Sequence, residues 1–459
     1  MKDSALYDKL LGFLENVSGL VWGLPLIILI IGTGIYLTLR VGFLQIRMLP
    51  YSLKLAFSFK QDKHSEGDIS HFQALMTALA ATVGTGNIVG VATAVVLGGP
   101  GAVFWMWTAA FFGMATKYAE AILAVKYRVV DENGQMSGGP MYYLERGLKQ
   151  KWLGILFAIF GAIAAFGIGN LVQANAVSTA IKTEFNINEW ITGIVLVIFA
   201  GLSIIGGIKS IGKVTSYFVP FMAVFYIIGG LIVLFMNIEL IPAAVGLIFT
   251  DAFTGQAVAG GAIGAVIRYG VARGIFSNEA GLGSAPIAAA AAKTDLPGRQ
   301  ALVSMTQVFI DTLIICSITG ITIVMGGLYN DSSIGAGDLT SASFAVFLGD
   351  TGSLIVTLGL LFFASSTILG WSYYGEKCFS YLFGVKSVIY YRIFFVAMVY
   401  VGSVTGLEIV WTFADIMNGL MAIPNLIGLL GLSGVVVYET KRTLEKIKEE
   451  KELAKRKAS

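Results

Sequence analysis

Histidine and cysteine are almost absent from this chain, with two of each in 459 residues, and only 13% of the residues are charged. His64 and His71 form no ligand pattern, and Cys316 and Cys378 lie in or beside apolar stretches. Neither a metal cluster nor a disulfide framework is expected from them. Soluble domains carry about a quarter of their residues as charges, so an ordinary soluble enzyme is excluded. No Ser-His-Asp, Cys-His or paired-carboxylate arrangement stands at a workable spacing, which argues against catalysis, and no organic cofactor is expected. Proline is also low, nine residues against 56 glycines. A glycine share well above the usual ~7% therefore belongs neither to a collagen nor to a disordered linker. The formal charge of +3 is too small to point to nucleic acid.

What is present is apolar: 56% of the residues are hydrophobic and the mean hydropathy is +0.79. This composition fits a bundle of transmembrane helices, in which small residues let backbones approach closely. At roughly 20 apolar residues per crossing, stretches occur near 21–39, 71–97, 101–125, 152–180, 190–208 and 213–236. Five more follow near 258–285, 299–327, 343–371, 389–412 and 415–437. The first is read as a retained helix and not a signal peptide. The chain divides into an extracellular N-terminus with one extra helix (1–40), a first group of five helices (71–236), a second (258–437) and a charged, soluble helical tail (438–459).

Eleven crossings place successive loops on alternate sides, and Lys and Arg mark the cytoplasmic one. With this count, all 31 basic residues except Lys2, Lys9 and Lys182 gather on one side, among them Lys60, Lys63, Arg268 and Arg273. The expectation is a multi-pass plasma-membrane protein with its N-terminus outside and its C-terminus in the cytoplasm.

The second stretch contains Thr82-Val83-Gly84-Thr85-Gly86-Asn87, and the seventh contains Phe276-Ser277-Asn278-Glu279-Ala280-Gly281-Leu282-Gly283. Both mix glycine with polar side chains at mid-membrane depth, and they lie five segments apart. Transporters built from inverted repeats place their sites where such interrupted helices meet. Unwound backbone survives in a membrane only where it lines a cavity or binds something. Free amides at a half-helix N-terminus suit a carboxylate, and free carbonyls at a C-terminal end suit a small cation. The plainer alternative is that Gly86 and Gly90 only allow close helix packing; the pairing of the motifs, with Asn87 and Asn278 in both, favours a site. The run from Gly84 to Gly90 is not a dinucleotide loop, because no strand precedes it.

Four blocks make the chain resemble the alanine or glycine:cation symporter family across essentially its whole length. They are Gly98-Gly99-Pro100-Gly101-Ala102-Val103-Phe104-Trp105-Met106-Trp107, Met114-Ala115-Thr116-Lys117-Tyr118-Ala119-Glu120, Phe276 to Pro286, and Gly370-Trp371-Ser372-Tyr373-Tyr374-Gly375-Glu376. The resemblance implies sodium-driven uptake of alanine, glycine or a similar small amino acid. It also implies the fold of the bacterial leucine transporter: an all-α integral membrane protein of 11 transmembrane helices, a 5+5 inverted repeat preceded by one extra N-terminal helix. Carried over residue by residue, it places Thr82, Gly84, Thr85 and Gly86 around the substrate carboxylate and has Asn87 help bind sodium. Ser366 and Thr367 resemble the hydroxyl pair of a sodium site completed by the carbonyls of Ala80 and Val83. Where relatives of that transporter carry a tyrosine on the third core helix, this chain has Gly169, Asn170 and Gln173, and Gln173 is the amide expected to face the ligand.

Phe276 is expected to close over the substrate's apolar side, with Asn278 and Gly281 as further contacts and Trp371, one turn beyond Thr367, walling the pocket. Ser277, Glu279 and Asp311 are additional candidates for the cation, since an ionisable group inside a membrane is a functional candidate by default. For Glu279 the alternative is a cap or an ion pair with Arg268 or Arg273. Asp311 lies about 18 Å along its helix from Arg299, and cation ligand, proton site and interhelix glue are all open for it. Lys117 and Glu120, three residues apart, read as an ordinary helix pair. The expected partners are the amino acid, sodium and membrane lipid; oligomeric state is not legible. Two competing functions are proton-driven uptake or exchange through Asp311 or Glu279, and a non-transporting sensor or channel with the tail as a docking helix.

Overall fold

The computed structural model describes residues 5–58, 65–253, 262–406 and 408–458. Lys2, Lys60, Lys63 and the first residues of the seventh stretch, 258–261, lie outside the described residues. Helices α1 (Ala5–Val21) and α2 (Leu24–Arg40) part at Gly23, with Pro25 in the first turn of α2, where a missing N–H costs little. The second stretch forms α3 (His71–Thr82) and α4 (Val91–Gly98), joined through a π turn at Gly86–Gly90 and bent by 54°. A capping box starts α3, the Ser70 and Gln73 side chains each accepting from the other's backbone N–H.

After α5 (Ala102–Lys126) comes a small antiparallel hairpin, Val129–Val130 with Met136–Ser137. Then follow α6 (Lys151–Phe166) and α7 (Val172–Phe185), continuous through a π turn at Gly167–Leu171, and α8 (Glu189–Ile204), α9 (Gly207–Met236) and α10 (Ile241–Asp251). The chain resumes with α11 (Ala262–Asn278), an irregular stretch at 279–285, α12 (Pro286–Ala290), and α13 (Pro297–Val308) joined to α14 (Ser317–Gly326) by a third π turn. It ends with α15 (Ala336–Leu348), α16 (Asp350–Phe383), α17 (Val388–Val404), α18 (Glu408–Gly431) and α19 (Ser433–Ala458).

Among the described residues, seven helical stretches are long and apolar enough to cross a membrane, or eight if the bent pair α3–α4 counts as one span. This is a multi-pass membrane protein. The stretches expected near 101–125, 190–208 and 258–285 are helical, as α5, α8 and α11, but fall outside that set. α16 runs through the centre against α3, α6, α7 and α9, while α5 lies against α11 and α13. At the α3–α16 contact a Cβ on Gly370 would stand 2.6 Å from Ala81 N, so the glycine is what lets the two backbones meet.

Three expectations need correction. The ninth stretch, 343–371, is split by Gly349 between α15 and α16, and α16 runs on to Phe383 because its polar end, Glu376 and Lys377, is buried. Arg268 and Arg273 line a cavity together with Glu15 and Leu97, at the opposite end of the bundle from the other basic loops. The tail is not a free helix. Glu439, Thr443 and Ile447 share one buried face of α19, Lys126 pairs with Glu439 at 2.6 Å, and Arg299 pairs with Glu450 at 2.8 Å.

Candidate functional site

α3 ends where Gly84 and Gly86 interrupt its alanine- and threonine-rich run, and Val83 turns to extended backbone at φ −78°, ψ 93°. The freed carbonyls meet hydroxyls of α16. Ser366 Oγ donates to Ala80 O at 3.2 Å and Thr367 Oγ1 to Val83 O at 3.3 Å, and both also reach Phe363 O, at 2.8 and 3.0 Å. Ala80, Val83, Ser366 and Thr367 thus bring oxygen atoms alone together, a donor set suited to a hard cation. Gly84 closes this corner, since a Cβ there would stand 2.4 Å from Thr367 Oγ1 and 3.2 Å from Gln173 Oε1. Gln173 on α7 holds the other side of the break. Its Oε1 accepts from Thr85 N at 3.2 Å, and its Nε2 donates to Thr85 Oγ1 at 3.1 Å and Ile168 O at 3.0 Å.

Asn87 joins the first break to the α13–α14 span. Its Oδ1 accepts from Gly84 N at 2.9 Å and its Nδ2 donates to Asp311 Oδ1 at 2.7 Å. Ser277 Oγ and Thr312 Oγ1 each donate to Asp311 Oδ2 at 2.8 Å. The fully buried Asp311 carboxylate is therefore held by neutral donors, and no ion pair among the described residues includes it. Asn87 belongs with Ser277 and Asp311, in a cluster separate from Ser366 and Thr367.

At the second break Glu279, Gly281 and Gly283 take left-handed φ of 57°, 90° and 85°, a conformation in which glycine carries no steric penalty. The unwound backbone leans on α5. Glu120 Oε1 accepts from Gly281 N at 3.0 Å, Gly283 N at 3.1 Å and Asn425 Nδ2 at 2.7 Å, and Lys117 Nζ donates to Glu279 O at 2.9 Å. Lys117 and Glu120 are 1% and 0% exposed. They are not an ordinary helix pair: they supply the hydrogen bonds the broken helix gives up. Glu279 accepts from Ser284 Oγ at 2.6 Å and does not pair with Arg268 or Arg273.

A cavity of about 490 Å³ reaches from Glu15 and Leu97 down to Thr85 and Phe276. Gly84, Gly86 and Gln173 stand directly behind those two; a Cβ on Gly86 would lie 3.1 Å from Ser277 Cα and 3.4 Å from Phe276 Cδ1. Four expected substrate contacts are packed elsewhere. The Thr82 hydroxyl turns back to Ala78 O, and Trp371 packs on Gly169. Asn278 caps Ala280 N at 2.9 Å and donates to Thr312, while Gly281 is bound to Glu120 and Asn425. Sequence reading named Arg273 only as a partner for Glu279 and passed over Asp415; both stand in the cavity wall, the Arg273 guanidinium 5.7 Å from the Phe276 ring centre and Asp415 accepting from Ser18 of α1. A charge inside an apolar stretch was the available signal.

The chain matches the sodium:alanine symporter family over residues 8–457. It belongs to that family. The symporter is accordingly a membrane carrier that couples a small amino acid to sodium, and not an enzyme. It is 62% identical over 435 residues to the sodium/alanine symporter AgcS of Methanococcus maripaludis, covering 93% of this chain and 96% of the relative. It is 39% identical to the amino-acid carrier protein AlsT of Bacillus subtilis, across 91% of this chain and 89% of AlsT. Among solved structures, MhsT in complex with L-phenylalanine superposes on the symporter with a TM-score of 0.57, over 82% of this chain and 98% of MhsT at 14% identity, a likeness of fold.

Proposed function

We propose that the symporter carries alanine or glycine into the cell with sodium by alternating access. In this reading there are eleven crossings, with the N-terminus outside and the C-terminus in the cytoplasm. α2 stands apart, and the two five-helix halves, related as inverted repeats, meet at their broken members α3–α4 and α11–α12. The observation that carries the reading is the convergence of Ser366 and Thr367 on the carbonyls of Ala80 and Val83, next to the amides of the same break. It supports a sodium ion at the C-terminal end of α3 and the amino acid beside it, its carboxylate at the turn of Gly84, Thr85 and Gly86, between Gln173 and Phe276. In the same reading the turn, packed hard against Thr367 and Ser277 at Gly84 and Gly86, takes alanine and glycine in preference to leucine or phenylalanine.

Sodium at the freed carbonyls orders the break and so raises affinity for the amino acid, and the amino acid must tighten sodium binding by the same factor. Asn87, Ser277 and Asp311 offer a second cation position. The buried carboxylates of Asp311 and Glu279, neither in an ion pair among the described residues, are the observation that favours a proton as the coupling ion. Proteoliposomes with an imposed inward sodium gradient test the choice: labelled alanine should accumulate with sodium and not with choline at fixed pH, and leucine should not. Uphill uptake that ignores sodium and follows a pH gradient would overturn the sodium reading.

A further inference from the structure

The end of the bundle opposite the cavity is closed by a short parallel bridge between Ile69, just ahead of α3, and Ala292, just after α12. Asp68 N and Ile69 N donate to Ala291 O at 2.8 and 3.2 Å, and Lys293 N donates to Ile69 O at 2.7 Å. These stretches continue the two broken spans, so a path from the site to this end has to pass between them. Gly67 lets them touch, because a Cβ there would stand 2.4 Å from Lys293 N. Arg128, at the root of the hairpin that follows α5, reaches both sides of the seam. Its Nη1 donates to Ala290 O at 3.0 Å and Ala292 O at 2.7 Å, and its Nη2 donates to Glu66 O at 2.8 Å. The far strand of the hairpin adds a second tie, Met136 N donating to Asp68 Oδ2 at 2.8 Å.

We infer that Arg128 is the latch of the inner gate, holding 66–69 against 290–293 while the outer cavity is open and releasing before α3 and α12 part. This rests on the alternating-access reading above. The bonding pattern is what a latch requires. Its three acceptors are main-chain carbonyls on two different spans, and bonds from a charged donor are stronger than neutral ones. The side chain is half-buried, so water can take over both donor and acceptors on release, and no carboxylate is left stranded. A lysine could stand in only in part, because a single ammonium lacks the guanidinium's fork.

Hydrogen–deuterium exchange of the full-length, substrate-free protein in nanodiscs, in sodium and in choline, tests this. Arg128→Ala should speed exchange of peptides covering 66–70 and 290–294 by about tenfold and leave the Glu120-bound stretch at 279–283 as it was, with sodium slowing the effect. Arg128→Lys should fall between, and Gly67→Ala, a wedge in the seam with Arg128 intact, should reproduce the pattern. Unchanged exchange in Arg128→Ala and Gly67→Ala would overturn the latch. So would an even acceleration over the whole chain in Arg128→Lys and Gly67→Ala, which would make the arginine a general support of the fold. Alanine uptake by the unaltered protein is a separate measurement, so failure of the latch and failure of the carrier reading are told apart.

Discussion

Replacing Gly84 by alanine sets a methyl group 2.4 Å from Thr367 Oγ1 and 3.2 Å from Gln173 Oε1. Cβ atoms essentially never come within 3.0 Å of a heavy atom in this way, so Thr367 or the break must give by about half an ångström. Such overpacking costs about 1–3 kcal/mol. The displaced atom is one of the four oxygens proposed to hold sodium, so the cost falls on the sodium-bound state. Near the middle of that range, about 2 kcal/mol, sodium affinity drops roughly 30-fold. The assay is a sodium titration of alanine binding to purified protein. Gly90→Ala is the control within the same break, because its Cβ meets only Thr85 O at 3.9 Å, and sodium affinity should stay at the parent level. In the double variant Gly84→Ala/Thr367→Ser the smaller side chain can swing its hydroxyl aside and recover part of the loss, a coupling of about 0.5–3 kcal/mol. A folded Gly84→Ala protein whose sodium half-saturation matches the parent's would refute the assignment of these oxygens.

Asp311→Asn turns one acceptor into an NH₂ facing Asn87 Nδ2 or the hydroxyls of Ser277 and Thr312. Stranding a buried donor in this way costs about 1–3 kcal/mol, and the charge moved per alanine, measured electrically on solid-supported membranes, should fall; an unchanged ratio counts against a cation at Asp311. Glu120→Ala strands the amides of Gly281 and Gly283 together with Lys117 and should lower the melting temperature sharply, by a loss of about 3–5 kcal/mol. Glu120→Gln, which keeps Oε1 as acceptor, should be milder, and equal melting of the two variants would refute the clamp. Burial pulls the Asp131 carboxyl up, but the Gln135 backbone donor and the Lys377 charge outweigh it, so the group ends below its ordinary value. The stability this adds is present above the unfolded-state value of about 3.9 and is lost as pH falls through the lowered native value. The lead in melting temperature over Asp131→Asn should hold at neutral pH and shrink below about pH 4, and a lead indifferent to acid would contradict the pairing.

Both breaks were legible because helix-interrupting glycines beside Asn and Ser have few uses inside a membrane, and the structure bends the chain by 54° at the first and turns it left-handed at the second. The hydroxyl pair Ser366–Thr367 was readable only through family resemblance: a Ser-Thr dipeptide in an apolar helix says nothing of which carbonyls it will meet. The support of the second break escaped for a related reason. Lys117 and Glu120 show the same three-residue spacing whether they face water or a broken helix 162 residues away, and sequence spacing cannot tell the two apart. Arg268 and Arg273 were placed at the wrong end because an apolar window does not register depth, and α11 carries both in the half of its span that lines the cavity. In the tail, by contrast, Glu439, Thr443 and Ile447 recur every fourth residue, a buried stripe that the dominance of charge concealed.

Asn87 divides its amide between its own break and a residue 224 positions further on, its oxygen on Gly84 and its nitrogen on Asp311. Neutralising Asp311, or placing a cation beside it, changes the pull on the nitrogen, and hydrogen bonds in series polarise one another. The backbone N–H at Gly84 is then less or more firmly engaged, so the turn proposed to grip the amino acid registers the state of the carboxylate. In the proposed carrier, slippage, the reorientation with only one of its passengers aboard, would thereby be opposed at the level of a single side chain.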